Sequence, residues 1–289
     1  MLALSTLPFL TMALSFFRRP GRLLLAGLPA PVSRAESGGW LHSPSLLWWL
    51  VGIGAVLRLR QYFAIRSLWG DEAMLGLNLL VYNFSDFLTR PLEFNQAAPI
   101  GFLLLGKLAV ALFGQSELAL RLVPLLFSTL SPVVALKVAP YVFKSPLARI
   151  TFVAGIAFSP SLIYYANEVK QYGVEVFSAL LLALLYQRIL RPEARRRDDW
   201  LLLAGGMAAL ALSFTAVFLL VAIGLLEGGR LWRQPDRRQF RRTILLGISW
   251  GAFFGLLYFL FMRSSQGDEY LSTFWETAFM PSSFDQFFG

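Results

Sequence analysis

The chain of 289 residues has no cysteine and one histidine, His42. Without thiols there are no disulfides, no thiolate nucleophile and no cysteine metal ligand. A lone imidazole likewise excludes a His-based triad or a zinc site. Charge is also scarce: Asp, Glu, Lys and Arg together make up 15% of the chain, and only 17 residues are acidic. A soluble domain of this size needs far more polar surface. There is no Gly-rich phosphate loop, dinucleotide fingerprint or nucleic-acid motif, so neither nucleotide-dependent chemistry nor nucleic-acid binding is indicated.

What is present is apolar. Hydrophobic residues make up 56% of the chain, with 26 Phe and 8 Trp, and the mean hydropathy is +0.60. This composition reads as an all-α, multispanning membrane protein with aromatic belts at its interfaces. The 26 Lys and Arg exceed the acids and give a net charge of +9. In such a protein the excess marks cytoplasmic loops. Residues 1–17 are apolar, but Arg18 and Arg19 follow them rather than precede them. That order is wrong for a cleaved signal peptide. Residues 1–44 are therefore expected to form a cytoplasmic or interfacial leader.

Apolar runs fall at 45–65, 97–114, 120–138, 147–165, 171–190, 200–228 and 243–262. Charge decides how they are threaded. The segments 188–197 (RILRPEARRR) and 230–242 (RLWRQPDRRQFRR) carry five and six Arg, and both should be cytoplasmic. The stretch 200–228 must then cross twice, as two short helices meeting near Ser213–Thr215. Counting back, Lys170 is external and the loop at 137–149 cytoplasmic. If 97–114 lies along the outer face without crossing, then Asp71, Glu93, Arg121, Glu168 and Lys170 share one side. The expectation is seven crossings, with the amino terminus inside.

The acids of that outer face begin with SLWGDEAMLG, residues 67–76. Asp71 and Glu72 have two readings. One is an N-cap and a first-turn acid starting an interfacial helix over 72–83; the other is a catalytic carboxylate with its neighbour. Arg58 lies well inside the first run, where a cation needs a polar cavity or a snorkelling path. Snorkelling suffices for Arg60 and Arg66. Lys107, inside 97–114, is either an amine reaching up from an interfacial helix or a phosphate contact. The next external stretch, SPSLIYYANEVKQYGVEVF (159–177), adds Glu168, Lys170 and Tyr172. A solvated loop and an aromatic belt explain each alone, but not why three separate segments supply ionisable groups in so acid-poor a chain.

LWGDEA, FNQAAPIGFLLLGKLAVALFGQSELALRLVPLLFSTL and SPSLIYYANEVKQYGVEVF, in this order, resemble the GT-C fold glycosyltransferases that use lipid-linked sugars. These are the protein mannosyltransferase and lipopolysaccharide-core group, glycosyltransferase family 39. The resemblance covers about 45–262, including a broken hairpin at LALSFTAVFLL. Ala98 departs from it, since members often have Pro before the Pro99 position. The resemblance implies a GT-C-like helical bundle (45–262) with interfacial helices within 70–114, and 263–289 as an external segment cut short relative to the family. It also implies an inverting enzyme, a hexosyl- or pentosyltransferase, moving sugar from a polyprenyl phosphate to a glycan, lipid or protein acceptor. The acceptor would lose its proton to Asp71, with Glu72 orienting. The phosphate would be met by Lys170, Arg58 and Lys107. Glu93, Asn95, Gln96, Glu168 and Tyr172 would shape the pocket. No cofactor is called for beyond the lipid-linked donor, and a divalent metal is left open. The expected location is the outer face of a bacterial plasma membrane. Two alternatives accompany this reading: a flippase or transporter of lipid-linked sugars, whose charges would sit at the bilayer midplane, and a non-catalytic remnant of the enzyme.

Overall fold

The structure, a computed structural model, describes residues 44–262. The expected leader up to residue 43 and the external segment 263–289 lie outside the described residues. Within them the chain is helical and contains no strand. In order the helices are α1 (Pro44–Phe63), α2 (Gly70–Val81), the single turn α3 (Asp86–Thr89), α4 (Ile100–Phe113), α5 (Glu117–Val142) and α6 (Pro146–Phe158). They continue with α7 (Pro160–Tyr165), α8 (Tyr172–Ile189), α9 (Arg196–Leu212), α10 (Ala216–Arg233) and α11 (Arg237–Leu257), which runs on through a π turn, Tyr258–Met262.

Helix α5 is the central post, packed by α1, α4, α6 and α8. On the far side of α8 lies α9, and α11 closes over α9 and α10. Two glycines let one helix approach the backbone of another. A Cβ on Gly54 of α1 would lie 3.0 Å from the Ala157 carbonyl oxygen of α6, and one on Gly101 of α4 would lie 2.7 Å from the Ala211 carbonyl oxygen of α9. Backbone cannot yield as a side chain can, so only glycine lets these helices touch.

Three helical stretches, Glu117–Val142, Tyr172–Ile189 and Arg237–Phe261, are long and apolar enough to cross a bilayer, by length and composition. That is fewer than the seven expected crossings, for visible reasons. Arg58, Arg60 and Gln61 dilute the end of α1. The run 147–165 breaks at Ser159, because Pro160 has no N–H for the Ile156 carbonyl and so ends α6 at 13 residues. The run 200–228 divides as expected, with Leu212 ending α9 and Ala216 opening α10. Large apolar side chains face outward on α1 (Trp49, Val56), α10 (Phe218, Leu225) and α11 (Leu245, Ile248). Hydrocarbon suits such a surface, and water does not.

The segment 97–114 holds a single helix of 14 residues, α4. In the segment before it, Gln96 bonds Asp71; in α5, which follows it, Arg121 reaches Glu72, next to Asp71 in the chain.

Candidate functional site

Asp71 and Glu72 are neighbours in sequence but not in role. Successive residues on a helix point about 100° apart, so one faces the core and the other faces out. Glu72 is fully buried and the Asp71 side chain is 44% exposed. Asp71 is not the N-cap of α2: that position is Trp69, and Asp71 is the second helical residue. The helix begins two residues earlier than expected, and its first-turn acids still suit its positive end.

Glu72 is a clamp. Its Oε1 accepts the Val169 N–H at 3.0 Å. Its Oε2 lies 3.3 Å from the buried Arg121 guanidinium and 3.4 Å from that of Arg66. The bond to Val169 fixes the loop 166–171, whose residues are all buried. That loop delivers Lys170. Its Nζ reaches Asp71 Oδ2 at 2.9 Å and donates to Gln96 Oε1 at 2.8 Å. Gln96 Nε2 in turn donates to Asp71 Oδ1 at 3.0 Å. Carboxylate, ammonium and amide thus close a three-membered ring.

Gln96 arrives by a strained path. Phe94 and Asn95 both take left-handed backbone angles, φ 63° and 52°, which costs about 1–2 kcal/mol for a residue such as Phe. The buried Asn78 of α2 holds the preceding residue in place: its Oδ1 accepts the Glu93 N–H at 2.8 Å and its Nδ2 donates to the Glu93 carbonyl at 3.2 Å. The Glu93 side chain points away from the ring and accepts from Tyr82 Oη. Asn95 is exposed.

Partial burial pushes the Asp71 pKa up, but the bonds from Lys170 and Gln96 and the charge of Lys170 outweigh it. The carboxyl therefore sits below the ordinary aspartate value and is ionised at neutral pH.

Beside the ring lies a second cluster. Arg66, partly exposed, sits between Glu72 and Glu168 and over the Tyr164 ring, 4.4 Å from its centroid. Glu168 is buried and also accepts from the exposed Trp69 through Nε1 at 3.2 Å. Tyr165 and Tyr172 meet edge to face at 4.8 Å, with Tyr172 part-exposed.

Two residues expected beside a phosphate are spent elsewhere. Arg58 is 0% exposed. It donates to Ser128 Oγ and to the carbonyls of Gly54, Ala157 and Ile156, at 2.8–3.0 Å. The last two carbonyls are those left open where Pro160 ends α6, so the Arg58 side chain satisfies the end of that helix. Arg58→Leu is expected to lower the yield of folded protein, since each abandoned buried carbonyl costs about 1–3 kcal/mol. The geometry around Asp71 in the protein that does fold should stay that of the parent; an unchanged yield and melting temperature would contradict the expected loss. Lys107 donates to the carbonyls of Leu79 and Leu80, capping the end of α2. Lys107 is thus held by backbone rather than reaching outward as an interfacial amine would.

Arg66 and Asn78 escaped the sequence reading. A buried Asn on the apolar face of α2 was a usable signal. Arg66 had none, because a snorkelling Arg and a cation between two buried acids look alike in one dimension. Among the described residues, no group of three His, Cys, Asp or Glu gathers as a metal ligand set.

A family model described as dolichyl-phosphate-mannose-protein mannosyltransferase matches residues 97–262, more than half of the chain. The matched span includes Lys170, Glu168 and Tyr172; Asp71, Glu72 and Gln96 precede it. No curated protein and no solved structure matches.

Proposed function

The chain belongs to the dolichyl-phosphate-mannose-protein mannosyltransferase family, and from that premise we propose how it transfers a sugar. It is a membrane glycosyltransferase with a GT-C type domain. The donor is a sugar linked to a polyprenyl phosphate, and the acceptor is a hydroxyl presented on the outer face. Asp71 accepts the hydroxyl proton as the acceptor oxygen bonds to the anomeric carbon. The bond from that carbon to the phosphate oxygen breaks on the opposite side, inverting the centre. Polyprenyl phosphate departs with the electron pair, and its charge is met by Lys170.

The observation that carries this reading is the closed ring of Asp71, Lys170 and Gln96. It sets a half-exposed carboxylate and an ammonium side by side at a helix end, which inverting transfer from a phosphate requires. Lys170 then has two partners in turn. Before the donor arrives it pairs with Asp71 and weakens it as a base. When the phosphate draws the ammonium away, the carboxylate regains proton affinity at the moment it is needed. Arg66, partly exposed between two acids, supports the phosphate in place of Arg58 and Lys107. Trp69, Tyr172 and Phe94 offer apolar faces to the sugar or the lipid.

The deciding experiment incubates the full chain in membranes with a panel of polyprenyl-phosphate sugars and candidate acceptors. Transfer from at least one donor supports the reading. Movement of intact lipid-linked sugar between leaflets, with no new glycosidic bond, would replace it with the transporter.

Lys170→Gln separates the two duties. Loss of a charge-assisted contact worth about 1.5–3 kcal/mol should lower kcat/KM for the donor by about 10–100-fold. The acid side of the kcat/KM profile should also move. A base acts when ionised, so activity falls as pH drops through its pKa. With Lys170 in place that fall lies below about pH 4, the ordinary aspartate value. Without it, burial is less opposed and the fall shifts upward. The stability contribution of Asp71 has the same sign: present above its unfolded pKa and lost as pH falls through the folded one. An unmoved acid limb in Lys170→Gln would show that Lys170 does not govern Asp71.

A further inference from the structure

The end of the bundle remote from Asp71 holds a second concentration of charge. Helix α9 measures the separation. Its Asp199 pairs with Arg238 and Arg242 at the start of α11. Its Ala211 lies against Gly101 of α4, and Glu175, one turn into α8 from Lys170, meets the backbone of Phe214 just beyond it. The rise from Asp199 to Ala211 puts these two points about 18 Å apart.

Six arginines lie between positions 230 and 242, and they divide cleanly. Arg230, Arg238 and Arg242 are consumed by Glu227 and Asp199. Arg233, Arg237 and Arg241 have no ion pair among the described residues. Asp236 forms no ion pair with them; its carboxylate accepts the Arg238 and Gln239 N–H groups that open α11. Arg233 suits the negative end of α10, where it lies in the last turn. Local stability does not explain Arg237 and Arg241, because Arg in the first turns of a helix opposes its dipole. Arg237 and Arg241, four residues apart, share one face of α11. With Leu231, Pro235, Asp236 and Phe240 they line a cleft of about 410 Å³. Phe240 is 55% exposed, and Trp232, next to Leu231 in the chain, is 90% exposed.

We infer that this cleft seats the phosphodiester headgroup of an anionic phospholipid from the leaflet opposite the Asp71 site. The two free guanidinium groups meet the phosphate. Leu231, Pro235 and the Phe240 ring cover the glycerol and the first acyl carbons. The occupant follows from three features together: unpaired positive charge, an apolar floor, and a position where α11 enters its long apolar stretch. Exposed aromatics beside basic residues at that depth suit a bilayer interface. A water-soluble phosphate would have no use for Trp232 or for the floor.

The test is the melting temperature of the purified full chain in neutral detergent, titrated with phosphatidylglycerol or phosphatidylcholine. The parent should gain stability from phosphatidylglycerol alone. Arg237→Gln/Arg241→Gln should need at least about tenfold more of it for the same gain, while melting like the parent in phosphatidylcholine. Arg197→Gln removes one cation outside the cleft and should respond as the parent does. If the double variant does not accumulate, Arg237→Lys/Arg241→Lys keeps the charge without the planar fork and should show a smaller loss. An equal response in parent and double variant, or a parent indifferent to phosphatidylglycerol, overturns the assignment. So does polyprenyl phosphate displacing phosphatidylglycerol at a tenth of its concentration, because the occupant would then be the carrier lipid. None of these readouts depends on sugar transfer.

Discussion

Asp71→Asn should yield a folded, membrane-inserted protein that transfers sugar about 10²–10⁴-fold more slowly than the parent, the range spanned by loss of a general base. The expectation is sharp because the competing structural role has gone. An N-cap would be the other reason to place Asp here, but Trp69 occupies that position, and Asp71 lies inside the helix with its side chain 44% exposed. The substitution keeps the shape and one acceptor oxygen for Gln96. It removes an ion pair in which Asp71 is 44% and Lys170 only 9% exposed. The cost therefore lies above the about 0–1 kcal/mol of a surface pair and below the about 3–5 kcal/mol of a fully buried one, with Gln96 Oε1 still accepting from the lysine. Folding should change modestly while chemistry collapses. The measurement is transfer rate per inserted molecule, with yield and melting temperature as controls. A rate close to that of the parent would remove Asp71 from the mechanism.

How far the sequence could be read depended on the kind of signal. Charge asymmetry was informative: two Arg-rich segments placed the break at Ser213–Thr215, and α9 and α10 part there. It also argued against a crossing by 97–114, the segment that holds the 14-residue α4. Hydropathy alone misled at 147–165, because an apolar run looks continuous even where Pro160 removes the N–H that would continue the helix. At the site, residue type was legible and partnership was not. Arg58 and Lys107 are cations at the right depth for a phosphate, yet both serve carbonyls stranded at helix ends. Which carbonyls are stranded depends on where helices stop in space, and a linear pattern does not carry that. Asp71 and Glu72 looked like one acidic pair, whereas helix geometry gives one to the solvent and one to the core.

That division leads to the second large effect, in stability rather than chemistry. Glu72 is 0% exposed and Arg121 2%. Their contact ties α2 to α5, and the Val169 bond ties both to the loop that carries Lys170. Removing one member of a buried pair leaves the other uncompensated and typically costs about 3–5 kcal/mol. Glu72→Ala should therefore cost about that much, seen as poor accumulation and a large drop in melting temperature. Whatever inserts should transfer sugar more slowly per folded molecule, by no more than the about 10–100-fold expected for loss of Lys170, whose loop Glu72 holds. Pairing it with Arg121→Met tests the cause. Replacing a buried ion pair by apolar groups of similar volume is often neutral, so Glu72→Leu/Arg121→Met should recover much of the stability that Glu72→Ala loses. Arg66 remains to pair with Glu168, and Asp71 keeps Lys170 and Gln96. If Glu72 instead touched the acceptor, its removal would lower kcat without moving the melting temperature, and Arg121→Met would restore nothing.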